Sequence, residues 1–391
     1  MRVMKIITSI CWLIVAVSVL CVVVWFATGT LFGIGSNRTG FGRWRGNWSF
    51  GWNISSWETL TGPYSAVGSY NVDISEVSSI SIDWTAGNIS IKPHDGVDIK
   101  ITEYAQRELR DDEKLRLGTS GDTLTIRFRE SGSASGQMPQ KRLEVLVPGA
   151  LSENLRALSV NSVSGSIGAE SLHATELKLN STSGEIYISD VTVTQTIDID
   201  SLSGRITVTS TVAGEMELDS TSGNITVTSS QTNRLKLKSL SGSISVSEST
   251  ALVVDFDTTS GSITASGAFD SGRVKSLSGR ITVDNSAANA VLDANSTSGT
   301  LDLSGSYDSI SAGSLSGSIT IRSTVVPSGL KADSTSGSIT VTVPDEGPVS
   351  VFHSSTSGRF SSDIPVTLQG RGAQFELSTL SGTTRILALR T

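Results

Sequence analysis

Carboxylates that recur two residues apart are the groups in this chain best placed to do chemistry. Asp198 and Asp200, and Asp255 and Asp257, carry that spacing inside alternating apolar–polar stretches. On an extended strand such a pair projects from one face, about 7 Å apart. Stacked on neighbouring strands, they could bind calcium or contact a sugar. A plainer reading has more support. Outward acids keep a stacked β-structure soluble, an Asx ahead of a serine turn caps its own backbone, and the calcium-binding nonapeptide of β-roll repeats is absent. The three histidines, His94, His173 and His353, have no metal-ligand spacing among them and read as surface or turn residues. Both cysteines, Cys11 and Cys21, fall in the apolar N-terminal run, so the rest of the chain has no thiol chemistry. The many serines have no sequence-coupled base and read as turn hydroxyls rather than nucleophiles. We therefore expect no catalytic, cofactor-binding or metal-binding residue, and no enzyme. A carbohydrate-active β-helix enzyme is the least favoured alternative, because it needs a converging acid–base constellation that the sequence does not display.

The elements that would position any of these groups are set by one phrase written repeatedly. Ser-Thr-Ser-Gly-Glu-Ile occupies 181–186, Ser-Leu-Ser-Gly-Arg-Ile 201–206 and Ser-Thr-Ser-Gly-Asn-Ile 220–225. Its glycines are Gly184, Gly204, Gly223, Gly242, Gly261, Gly279, Gly299, Gly317 and Gly337, at steps of 18 to 20 residues. A looser copy precedes them at Gly165, and stretched copies follow at Gly358 and Gly382. Each phrase is flanked by period-two alternation, such as Leu177-Lys178-Leu179 before it and Ile186-Tyr187-Ile188 after it, the mark of strands with one buried face. Between the strands, Ser-x-Ser-Gly is turn chemistry, with hydroxyls for the backbone and a glycine free to take positive φ. One such unit buries almost nothing alone, so it must stack on its neighbours. The fold class is all-β: a parallel β-solenoid, or β-helix, of ~19-residue repeats.

A second period lies over the first. The residue between the two serines alternates Thr182, Leu202, Thr221, Leu240, Thr259, Leu277, Thr297, Leu315, Thr335. The Thr copies also carry Asn180, Asp219, Asp257, Asn295 and Asp333 four residues before their glycines. Two coils satisfy this pattern: one of ~38 residues with two non-equivalent halves, and one of a single repeat with the two types alternating up the stack. The leucines are expected to plug corners of the core; the alternative is an exposed apolar stripe for a partner.

Three segments frame the repeats. Residues 1–32 read as a transmembrane anchor: Arg2 and Lys5 precede an apolar run from Ile6 to Phe26, about 31 Å long as a helix and enough to cross a bilayer. Cleavage as a signal peptide is the alternative. Residues 33–62 form a glycine-rich junction in which Arg38, Arg43, Trp44, Arg45, Trp48 and Trp52 would sit at the lipid interface; a flexible linker whose aromatics dock on the following domain is the alternative. Residues 63–391 are the solenoid domain, with irregular N-terminal coils and a cap at 63–158, regular repeats at 159–341 and a C-terminal cap at 342–391. In the first part, Ala86-Gly87-Asn88 reads as a degenerate first repeat, and charge-dense Glu103 to Arg116 as a solvated loop or short helix.

The Trp84-Thr85-Ala86-Gly87-Asn88-Ile89 phrase, the Leu143 to Pro148 strand and the serial Ser-x-Ser-Gly-x-Ile units resemble the bacterial putative-adhesin β-strand-repeat family, a domain of unknown function often carried on a single membrane anchor. The resemblance spans most of 63–391. It implies a non-enzymatic protein of the cell envelope, commonly in envelope-stress settings, and no catalytic motif. The whole chain has a formal net charge of -7, and beyond residue 62 the balance is 25 basic to 36 acidic groups. That excludes a general nucleic-acid binder and disfavours anionic polymers as ligands. The expected protein is a single-pass cell-membrane protein with an extracytoplasmic β-domain acting in adhesion or as a scaffold. Its partners would be an envelope protein or a neutral glycan. A self-associating, assembly-forming solenoid is the alternative.

Overall fold

The computed structural model describes residues 64–129, 139–367 and 372–390, all within a unit spanning Thr61–Thr391. The expected membrane anchor and the arginine–tryptophan junction lie outside the described residues. Among those described, no helix is long and apolar enough to cross a membrane.

The strands wind as a parallel β-solenoid in which one repeat makes one turn. Strand Thr192–Ser201 lies between His173–Ser181 and Val212–Ser220, and Ile206–Thr209 lies between Ile186–Ser189 and Ile225–Thr228, all parallel. Residue i therefore pairs with the residue one repeat later: Ile186 with Ile206, Ile206 with Ile225. The ~38-residue coil of two halves is thus replaced by a ~19-residue coil, with Thr-type and Leu-type repeats alternating up the stack. The physical reason is closure. Two short strands and two tight corners already return the chain over its own start, so a second repeat is not needed to complete a turn.

The two corners are built differently. At the Ser-x-Ser-Gly corner the first serine is buried and its Oγ accepts the glycine N–H, at 2.9 Å for Ser181–Gly184 and 2.8 Å for Ser334–Gly337. The same hydroxyl often donates to the glycine carbonyl of the preceding turn, as Ser276 does to Gly261 O at 3.1 Å. The glycines are required here, but not for positive φ, which none of the twelve repeat glycines adopts. Their need is close approach: a Cβ on Gly242 would lie 2.0 Å from the carbonyl oxygen of Gly223. The opposite corner uses left-handed residues without glycine, namely Ser171, Asp190, Ser210, Ser229 and Glu248, all with φ near +50°.

Inside, identical or similar residues stack: Ile167, Ile186, Ile206, Ile225, Ile244, Ile263 and Ile281 form one buried ladder. The core is a continuous apolar column. It is stabilised at roughly 25 cal/mol per Å² of buried apolar area.

At both ends the spatial order departs from the sequence order. The corner glycines stack as Gly87, Gly165, Gly184 and onward to Gly337, then Gly382, then Gly358. Strand Gln374–Thr379 pairs with Gly329–Ser334 on one side and Val349–Ser355 on the other. The last turn of the chain is therefore inserted beneath the one that precedes it in sequence. The N-terminal end mirrors this. Strand Ser79–Trp84 is held between Thr123–Arg127 and Leu155–Ser162, so the first turn of the chain lies one turn in from the end. Antiparallel strands Arg116–Ser120, Ile99–Ala105 and Ser65–Val72 then cover the outer edges, the usual defence against edge-to-edge pairing.

The charge-dense 103–116 segment is not simply solvated. Glu103 and Lys141 are fully buried, their Oε1 and Nζ 2.6 Å apart. Glu103 also accepts the Leu115 N–H at 3.1 Å, and Lys141 donates to the carbonyls of Phe128, at 2.5 Å, and Glu113. The ammonium lies 4.1 Å from the centre of the Phe128 ring, which meets Trp84 edge-on at 4.9 Å. Burial pulls the Lys141 pKa down, and the Glu103 carboxylate opposes that shift. Nearly buried Glu113 takes a bidentate contact from Arg107 at 2.7 Å and the Arg110 N–H at 3.0 Å, which lower its pKa to about 2.

Candidate functional site

Candidate surfaces follow from the stacking, because each outward position of the repeat becomes a column up the side of the solenoid. The acidic pairs fall in two such columns. One runs Lys178, Asp198, Glu217, Lys236, Asp255, Arg273, Asp293 in successive turns. Charges of opposite sign meet along it: Lys178 with Asp198, Lys236 with Glu217, and Arg273 with Asp293 at 3.3 Å. The other runs Asn180, Asp200, Asp219, Lys238, Asp257, Lys275, Asn295, Gly313, Asp333. Asp255 and Asp257 thus sit among bases from the turns above and below. Like charges meet at two places, Asp198 beside Glu217 and Asp200 beside Asp219. Burial raises the pKa values of Asp200 and Asp219, the latter to about 6; Asp198 and Glu217 add to the effect at Asp200, and Glu217 and Asp200 add to it at Asp219. Asp219 Oδ1 is buried without a hydrogen-bond partner.

The three histidines stay apart. His94 Nε2 contacts Asp98 O at 2.9 Å within its own loop. His173 is exposed at a strand start. His353 packs on Phe360 at 4.9 Å at the C-terminal end, where burial lowers its pKa. Among the described residues no group of three His, Cys, Asp or Glu side chains is placed to hold a metal ion.

The most continuous feature is the Ser-x-Ser-Gly corner itself. Its x residues do not plug the core: Leu202, Leu240, Leu277, Leu315 and Leu380 are each about half exposed. The corner is an edge of the coil, so a side chain between the two serines has solvent in front of it. Up the stack the column reads Thr85, Val163, Thr182, Leu202, Thr221, Leu240, Thr259, Leu277, Thr297, Leu315, Thr335, Leu380, Thr356. In sequence order the alternation breaks at the end, where Thr335 is followed by Thr356. In stack order it is restored, because the Leu380 turn is inserted between those two. The pattern therefore follows space rather than chain order. Beside this column runs one of serine, with Ala86 in its place at the Gly87 turn, including Ser183, Ser203, Ser222 and Ser241. Some of its hydroxyls return to carbonyls of the preceding turn, as Ser203 does to Thr182 O at 3.2 Å. A groove of about 660 Å³ follows the same edge toward the C-terminal end. It lies where Gly313 leaves a gap between Asn295 and Asp333, with Leu315 and Leu380 on its rim.

The Leu/Thr alternation was readable as sequence, but its outward direction was not, because a corner position has no period to say which way it points. The buried Glu103–Lys141 pair gave no signal, being formed by residues 38 apart with masses of charge between them.

These features define a capped parallel β-solenoid whose outward columns are charge ladders and one apolar corner. The chain belongs to the family described as Toastrack DUF4097, which it matches over residues 77–270 and 254–385. Similar solved structures include a putative adhesin of Parabacteroides distasonis, at 14% identity over 83% of this chain and 98% of that one, with a TM-score of 0.35. A putative adhesin of Bacteroides fragilis is similar at 13% identity over 82% and 96%, with a TM-score of 0.25. A putative lipid-binding protein of Parabacteroides distasonis is similar at 14% over 83% and 97%, with a TM-score of 0.29. No curated protein matches the chain.

Proposed function

We propose that this protein is a non-enzymatic module of the cell envelope, held at the membrane by residues 1–32, whose extracytoplasmic solenoid binds partners along its side in adhesion or as a scaffold. One observation carries the reading: an unbroken, half-exposed Leu/Thr corner that keeps its alternation in space even where the sequence order is inverted. A core does not need that regularity on its outside, whereas a docking edge does. Antiparallel strands cover the outer edges at the N-terminal end, and the short strand Val366–Thr367 pairs outside Val349–Ser355 at the other, so the sides are the longest surfaces on offer. That ranks side-on binding above end-to-end assembly. The acidic balance of the domain favours a protein or a neutral glycan over an anionic polymer. An association with envelope stress is part of the same proposal.

The test uses the full-length chain carrying Leu240→Ser, Leu277→Ser and Leu315→Ser together. Retention on envelope fragments should fall about tenfold or more, with the melting curve kept near that of the parent. Retention equal to the parent's would remove the corner as the binding edge. Proteolysis of intact cells separately tests the placement. Digestion of the solenoid from outside is expected, and protection until lysis would move the domain to the other side of the membrane.

A further inference from the structure

Resting on that reading of the corner, we infer that its partner is a second copy of this chain, docked antiparallel through the same corner. Successive turns are about 4.8 Å apart, so leucines recur about every 9.6 Å with a smaller threonine in each gap. Such an edge is complementary to itself only when displaced by one turn, leucine over threonine. A two-fold axis perpendicular to the stack does this wherever it passes midway between neighbouring turns, and it makes an isologous contact.

Charge then selects one position for the axis. Placed between the Gly242 and Gly261 turns, it sets Leu240 against the second copy's Thr259, and Leu202 against its Thr297. An axis in this orientation also brings the Asx column of one copy against the same column of the other. Lys238 then faces Asp257, and Asp219 faces Lys275, each twice by symmetry, while Asp200 faces neutral Asn295. Sliding the axis by one turn brings Asp200 against Asp257 in one direction and against Asp333 in the other, like charges that disfavour both registers. The chosen register is also nearly central. It pairs every turn from Gly87 to Gly382 and matches Thr85 with Leu380, a match that depends on the inserted C-terminal turn. Twelve paired turns give a strip about 55 Å long. At three columns wide it would bury roughly 700 Å² per copy, close to the ~800 Å² of a standard stable interface. The flat serine columns would lie against each other, and residue 64 of each chain would emerge at opposite ends of the pair.

The experiment uses the full-length chain in detergent, with Cys11→Ser and Cys21→Ser to remove the native thiols. Sedimentation should show a dimer. Leu202→Cys with Thr297→Cys in the same chain should give an oxidised dimer; those positions are five turns apart, about 24 Å, too far to bridge within one chain. Leu202→Cys alone should give none. Asp219→Lys should weaken the dimer about tenfold, and adding Lys275→Asp should restore it. A monomer at every concentration, cross-linking by Leu202→Cys alone, or failure of the charge reversal to rescue would each overturn the inference. If the chain is monomeric while the serine variants still lose retention on envelope fragments, the corner serves another partner and only the inference falls. If neither measurement responds, the reading of the corner falls with it.

Discussion

Between the Gly184 and Gly337 turns no Asp, Glu, Lys or Arg side chain is buried, whereas the N-terminal end encloses Lys141 and Glu103 completely. In the middle, each backbone group finds its partner one turn away, and ladders of isoleucine and valine fill the inside. Nothing in that scheme needs a charge. At the N-terminal end the ladder has to stop, and the chain between the Gly87 and Gly165 turns must be folded over the last strands in one arrangement. A buried ammonium with a carboxylate and two carbonyls as acceptors is directional where apolar packing is not, and it ties 103, 113, 128 and 141 to one point. Such a network costs desolvation and gains uniqueness only if every member is satisfied. The repeats are thus held by many weak, equivalent contacts, and the end by a few strong, irreplaceable ones.

The largest expected effect comes from breaking the irreplaceable set. Lys141→Ala leaves the Glu103 carboxylate buried with only the Leu115 N–H, and should cost about 3–5 kcal/mol. Denaturant unfolding of the full-length protein measures it. Because stacked repeats contact mainly their neighbours, proteolysis should first cut between 103 and 129 while the middle turns stay protected. Lys141→Met with Glu103→Leu should recover much of the loss. Equal stability of the single variant and the parent would show that the end is held by packing alone.

In the repeats, the matching experiment removes one of the equivalent contacts. Gly242→Ala forces a Cβ to within 2.0 Å of the Gly223 carbonyl oxygen, so two turns must separate locally at a cost of about 1–3 kcal/mol. Gly121, with nothing near its Cβ, has φ +61°. Gly121→Ala should therefore destabilise through backbone strain alone, by about 1 kcal/mol. The two melting curves separate crowding from conformation. A change no larger at Gly242 than at Gly121 would contradict the close-approach account.

Much of this is legible in the sequence. The phrase spacing gave a stacked β-coil, and Leu177, Leu179, Ile186 and Ile188 were identifiable as inward by their alternation. The identity of the corner glycines was equally clear, but the reason for them was not. Whether a glycine serves a positive φ or a close approach depends on the neighbouring turn, which a linear pattern does not contain. The same limit hid the left-handed corner, where Ser210 and Glu248 look like ordinary polar residues. It also hid the inserted last turn, since the stretched spacing from Gly358 to Gly382 says only that the repeat is irregular. The acidic pairs are legible as outward from the strand alternation. Their partners Lys178, Lys236 and Arg273 became visible only once one repeat was known to be one turn.

The Asx column offers the most informative break, because there a carboxyl with a buried, unpartnered oxygen sits beside like charges. Asp219 has Asp200 in the turn before it, Glu217 on its own strand, and Lys236 and Lys238 in the turn after, and burial with the two acids outweighs the bases. Its carboxyl titrates near 6 in the folded chain against an ordinary 3.8. Between those values the folded state holds a proton that the unfolded chain has released. Stability contributed by this group is therefore present at pH 4, is lost as the pH rises toward 6, and stays lost above it. Asp219→Asn removes the charge and places an amide in a column where Asn180 already donates to Asn161 at 2.8 Å. The variant should match the parent at pH 4 and exceed it by on the order of 1–2 kcal/mol at pH 7, read as a rise in Tm that appears between those values. The measurement belongs below the concentration at which chains pair, since the second copy's Lys275 would stabilise the ionised form and shrink the difference. A gain of the same size at pH 4 and pH 7 would mean that the substitution acts through packing, and that the two neighbouring aspartates are no weaker a point in the ladder than the alternating charges around them.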